Sequence, residues 1–165
     1  MQINLHEDYL RSLLFGFQDG LVSTTGVVVG ISTGVEDKAI IILASFVAVT
    51  VEASSMAAGQ YSSEKAVHQM AQNNGRHSDS LIMGAFIMFF SYLMAGMIPI
   101  LPTVLFDQPL ARYLAIVFAF LGLFVIGFVK GQIVNHKPLR SAIELLAIGG
   151  AATIVGVVVG NILKV

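Results

Sequence analysis

Asp19 stands in LLFGFQDGLVSTTGVVVGIS, residues 13–32, where every other side chain is apolar, small or uncharged. In VEASSMAAGQYSS, residues 51–63, Glu52, Met56 and Gln60 recur at every fourth position. On a helix that spacing makes one stripe carrying a carboxylate, a thioether and an amide oxygen. Asp19, Ser23, Gly26 and Gly30 likewise share a helical face, so the acid lines up with small residues against which another helix can pack closely. Pooled across such a contact, the donors are carboxylate, sulfur and amide. Carboxylates alone suit Mg²⁺, Ca²⁺ or Mn²⁺, and a thioether tilts the preference toward a softer transition ion such as Fe²⁺. The predicted metal ligands are therefore Asp19, Glu52 and Met56, with Ser23 and Gln60 as secondary polar contacts.

Each of these residues also has an ordinary explanation. A charge at the centre of a bilayer costs at least about 2.5 kcal/mol, so an acid there needs a partner, a wet cavity or a function. For Asp19 no basic residue lies at matching depth. Glu52 read structurally is a protonated acid hydrogen-bonding a neighbouring helix, and Met56 read structurally is core filler. Met83, Met88, Met94 and Met97 lack carboxylate neighbours and are read as packing. Glu144 follows Arg140 by one turn, which suits an ion pair at a helix entrance better than a place on an ion path. His6, His68, His77 and His136 fall on one predicted side of the membrane. They form either a cation-collecting vestibule or, more plainly, a set of interfacial histidines.

The elements that must position these groups are membrane spans. Of 165 residues, 56% are hydrophobic and 12% charged, and the mean hydropathy is +0.82, too apolar for a domain with a wet surface. No cysteine is present, which excludes disulfides and thiolate metal sites. A net charge of −1 without a long basic run gives no sign of a nucleic-acid footprint. A span needs about 20 mostly apolar residues, and five such windows occur, near 10–33, 39–62, 81–101, 111–134 and 139–162. The fold expected is all-α, a single transmembrane domain over 1–165, with the first span retained rather than cleaved as a signal peptide. GVEDK, NNGRHSDS, PILPTVLFDQP and NHKP supply the helix breaks. SEKAVHQMAQ, inside the 63–80 loop, extends the second helix by two turns, and NNG would cap it.

Arg11, Lys65, Arg76, Lys130, Lys137 and Arg140 lie on the N-terminal side, against Lys38, Arg112 and Lys164 on the other, which puts the N-terminus in the cytoplasm. Counted from the cytoplasmic ends of their helices, Asp19 is about 12 Å deep and Glu52 about 15 Å. The string GVVVG occurs at 26–30 and 156–160, in spans one and five. It reads as small-residue packing rather than a repeat.

With DGLVSTTGVVVG at 19–30, SSMAAGQYSS at 54–63 and PLRSAIELLAIGG at 138–150, nearly the whole chain resembles the vacuolar iron transporter family. The resemblance implies five transmembrane helices per subunit and a homodimer with the ion path at or near its interface. It also implies export of Fe²⁺, sometimes Mn²⁺, from the cytosol in exchange for protons, the ion being cargo and not a permanently bound cofactor. By motif match Asp19 takes the place of the pathway aspartate and Met56 that of the pathway methionine. The family's second-helix glutamate falls at Ala48, so Glu52 one turn away substitutes for it or marks a shifted site. Gln60 stands where many relatives carry an acid, and the 63–80 loop replaces the Glu-rich metal-binding domain of iron-storing members. The chain therefore looks like the shorter, nodulin-like branch, in a prokaryotic plasma membrane or an organelle membrane such as that of the vacuole.

Proton coupling follows from the acids themselves. Two nearby carboxylates in a low-dielectric site hold a proton until a cation displaces it, which links metal binding to proton release. The rivals are a proton-independent uniporter or channel and a non-transporting scaffold or sensor. An enzyme is not expected, because no nucleophile–base pair, zincin motif or phosphate loop is found.

Overall fold

A computed structural model describes residues 7–71, 81–134 and 137–164. These form five helices: α1 (Glu7–Gly34), α2 (Lys38–Ala71), α3 (Leu81–Leu105), α4 (Leu110–Ile133) and α5 (Pro138–Ile162). All five are long and apolar enough to cross a membrane. Their large apolar side chains face outward, among them Leu43, Val51, Phe86, Met94, Val125 and Ile154. Ser12, Thr24, Thr25, Ser32, Ser45, Ser91 and Thr153 are buried. This arrangement suits a lipid solvent, where large apolar groups gain nothing by hiding and small residues let helices approach. Several buried hydroxyls bond back to their own helix: Thr25 to the Leu21 carbonyl, Ser91 to that of Ile87 and Thr153 to that of Gly149.

Helix α1 is the hub and packs against all four others, whereas α2 meets only α1 and α3. One buried cluster joins Val28, Val49, Ala53, Tyr92, Ile100 and Ala115, and a second joins Leu21, Val22, Ala95, Leu123 and Leu145. Between α1 and α5 the two GVVVG strings lie against each other. A Cβ on Gly30 would sit 2.9 Å from the Gly156 carbonyl oxygen, and one on Gly26 would sit 3.2 Å from that of Ala152. Between α1 and α3, Gly16 faces Ser91 and Gly20 abuts the Tyr92 backbone. Glycine there lets the α3 main chain press directly on α1.

The breaks in the sequence are only partly the breaks in the fold. Asp37 accepts from the Ala39 and Ile40 amides at 2.8 and 3.2 Å, capping the start of α2 after GVEDK. Pro99 and Pro102 do not end α3, which continues to Leu105. In a membrane-type helix bundle the carbonyls such prolines release are tolerated inside packed helices, and here both prolines are buried. Helix α2 runs through Ala71, as expected of SEKAVHQMAQ, and at about 1.5 Å per residue its 34 residues exceed a hydrocarbon core of about 30 Å. The NNG cap falls outside the described residues.

Candidate functional site

Helices α1, α2 and α3 bring Ser23, Glu52 and Tyr92 together. Ser23 Oγ donates to Glu52 Oε2 at 2.9 Å and Tyr92 Oη donates to the same oxygen at 2.5 Å, while the two hydroxyls also touch each other. Tyr92 is 1% exposed, and the α3 backbone that carries it lies on Gly20. The missing Cβ at Gly20 thus sets how near the phenol comes to α1 and α2. Asp19, one turn before Ser23 and half-buried, lies within electrostatic reach of Glu52 and of Tyr92. The partly buried Met56 packs against the cluster that contains Tyr92 and Ala53.

Of the residues expected from the sequence, Asp19, Ser23, Glu52 and Met56 therefore lie around the α1–α2–α3 junction. Gln60 does not join them directly: its amide nitrogen donates to Ser12 Oγ at 3.0 Å and to Glu64 Oε1. The stripe thus extends one more turn, to Glu64, which is 15% exposed and lies 3.4 Å from the Arg11 guanidinium. Arg11 also reaches Asp8 at 3.5 Å. Glu144 pairs with Arg140 at 3.3 Å, and both are well exposed on α5. Met88 is buried in the protein, and Met97 packs against the first cluster. His68 is half-buried on α2, whereas His6, His77 and His136 lie outside the described residues.

The helix packing on the Gly26 and Gly30 face of α1 is α5, not α2 as pooling the ligands across that face assumed. The reason is that α5 brings small residues at the same spacing, Ala152, Gly156 and Gly160, and so accepts the closest approach. Two residues escaped sequence reasoning. Tyr92, in FFSYLMAG, reads as one more aromatic in an apolar span, and Glu64 reads only as part of the helical extension SEKAVHQMAQ. The four-residue continuation from Gln60 would have found Glu64. Nothing in the sequence aims Tyr92 at Glu52.

At the opposite end of the bundle, Arg112 Nε donates to Ser32 Oγ at 3.2 Å and its Nη2 donates to the Ser32 carbonyl. A guanidinium thereby satisfies the carbonyl end of α1. Lys38 and Asp107 pair there at 2.8 Å.

Among the described residues, no three or more His, Asp or Glu side chains converge. The α1–α2–α3 junction carries two carboxylates and a thioether, with two hydroxyls beside Glu52. The sequence pattern that defines the VIT family matches residues 10–82 and 64–161, almost the whole chain. This chain belongs to the VIT family. It is 36% identical over 73 residues to vacuolar iron transporter 1 of Arabidopsis thaliana, covering 44% of this chain and 29% of that protein. It is 27% identical over 153 residues to vacuolar iron transporter homolog 1 of the same plant, covering 86% of this chain and 76% of the relative. The figures for vacuolar iron transporter homolog 4 are 27% over 153 residues, 86% and 77%. VIT-family membership agrees with the helical architecture of five helices long and apolar enough to cross a membrane.

Proposed function

We propose that this VIT-family chain moves a divalent transition metal, Fe²⁺ or Mn²⁺, out of the cytosol in exchange for protons, as a homodimer with its N-terminus cytoplasmic. The observation that carries the reading is the placement of Asp19 and Glu52 within electrostatic reach of each other on α1 and α2, inside helices apolar enough for lipid, with Met56 one turn along. The names of the plant relatives support a transition ion as cargo.

Each carboxylate has a defined part. A cation and protons compete for Asp19 and Glu52, because either supplies the positive charge that two acids in a low-dielectric site require. Met56 adds a soft ligand, favouring Fe²⁺ over the alkaline earths. Glu64 and Arg11, at the cytoplasmic mouth, form an ion pair that an arriving cation can exchange into.

The dimer has support from shape. The glycines of α1 and α5 leave a groove of about 590 Å³ along the outer side of that seam, lined by Gly26, Gly30, Ala152, Gly156 and Ser23 among others. Ser23 thus touches both the groove and Glu52. A second copy seated in this groove borders the carboxylates and completes a ligand set that one chain leaves short.

A second reading has its own observation: the bonds of Glu52 to Ser23 and Tyr92 tie three helices together, as in a non-transporting scaffold. Proteoliposomes carrying internal metal-quenched and pH-sensitive dyes separate the two. Metal entry matched by proton exit, and lost in Asp19→Asn, is the expected result. Metal flux indifferent to an imposed pH gradient would leave a uniporter. No flux of either ion, in wild type and variant alike, would leave the scaffold.

A further inference from the structure

Resting on the reading of Glu52 as an ion ligand, we infer that Tyr92, with Ser23, is a specificity-determining pair that confines Glu52 to one-oxygen coordination and so discriminates against Ca²⁺.

The geometry is asymmetric. Glu52 Oε2 is approached by two hydroxyls from two other helices, Ser23 on α1 at 2.9 Å and Tyr92 on α3 at 2.5 Å. Among the described residues Oε1 receives no hydrogen bond. A carboxylate oxygen has two lone-pair directions, so two donors occupy Oε2 and leave the metal only Oε1. Even when Ser23 turns its proton to the phenol, both hydroxyl oxygens still fill the space beside Oε2. Of the two donors Tyr92 is the one held in place: it is almost fully buried and its backbone is pinned on Gly20, whereas Ser23 is half-buried beside the groove.

One-oxygen ligation has consequences for ion choice. Ca²⁺ takes about six to eight oxygens at about 2.3–2.6 Å and often collects them through two-oxygen carboxylates. A small divalent ion is content with fewer ligands in a regular arrangement, and a thioether suits a transition ion but not Ca²⁺. Denying Ca²⁺ the second oxygen of Glu52 removes a ligand where few are available. The hydroxyls therefore select by occupying an oxygen, without touching the ion. They are positioning residues, acting through Glu52.

The test is Mn²⁺ uptake by proteoliposomes of the full chain, with Ca²⁺ as competitor. Tyr92→Phe keeps the ring and removes the donor; Ser23→Ala removes one oxygen and is the milder change. The expected result is a Ca²⁺ concentration for half-inhibition that falls roughly tenfold in Tyr92→Phe, by less in Ser23→Ala and by most in the double variant. A simple packing defect would lower uptake without moving the Ca²⁺ to Mn²⁺ ratio. An unchanged ratio in all three variants, with Mn²⁺ uptake retained, overturns this inference and leaves the proposed transport intact. No Mn²⁺ uptake by wild type overturns both.

Discussion

The two halves of one stripe on α1 are built on a similar spacing and make opposite joints. Toward α5, Gly26, Gly30 and Gly34 meet small residues, and main chain lies on main chain. Among the described residues no side-chain hydrogen bond crosses that seam. Toward α2, Arg11, Ser12 and Ser23 meet Glu64, Gln60 and Glu52 through carboxylates, an amide and hydroxyls. Backbone contact cannot be exchanged for anything else, because the atoms that touch cannot rotate away. Side-chain contacts can be traded for an ion or a proton by turning a few torsions. One seam fixes α1 in the protein, and the other leaves its polar groups free to react.

Substitutions that exchange the character of the two seams break the comparison. The largest effect is expected from Gly30→Leu, whose side chain runs into the Gly156 backbone. Overpacking of this kind costs up to about 3 kcal/mol or more, and with main chain as the obstacle the variant should yield little monodisperse protein on size exclusion. Glu52→Ala, on the other seam, should fold but lose metal uptake, with a thermal midpoint lowered by the equivalent of about 1–3 kcal/mol for the hydroxyls left without an acceptor. Glu144→Gln removes an acid that lies in neither seam and pairs on the surface with Arg140. Uptake by that variant should match wild type, and a loss would place α5 on the ion path.

The smallest effect belongs to Asp107. Lys38 beside it holds its carboxyl below the usual carboxylate range. A group whose folded-state pKa is depressed contributes stability above its unfolded pKa and loses it as pH falls through the folded value. The difference in thermal midpoint between wild type and Asp107→Asn should therefore be constant from neutral pH to about pH 4 and vanish at lower pH. Because this carboxyl is fully exposed, that difference should be close to the limit of detection.

The five spans were legible because a membrane demands long apolar runs whatever the neighbours are. Asp19 and Glu52 were legible for the converse reason, since an acid in such a run conflicts with its solvent. What could not be read was which helix meets which. GVVVG announces a close contact in spans one and five without saying that each is the other's partner. Pro99 and Pro102 signal a break that the surrounding helices make unnecessary. The part played by Tyr92 depends on Gly20 lying opposite it, seventy-two positions away in the chain, and local pattern contains no trace of that. The candidate site was thus visible as its charged members, and its hydroxyls emerged only from the packing.

Helix α1 is the least apolar of the five spans and the most enclosed, with half of its membrane window buried. It also precedes the other four along the chain. During synthesis, then, the segment least suited to lipid emerges before the other four, carrying Asp19 ahead of the helices that pack on it. An aspartate near the middle of a lone helix disfavours insertion by about 2.5–3.5 kcal/mol, and the glycines that later seat α3 and α5 contribute little apolar surface of their own. The helices that later enclose α1 therefore add to the membrane stability of a segment that its own aspartate weakens. Chains truncated after α1 should insert less completely than those that extend through α5.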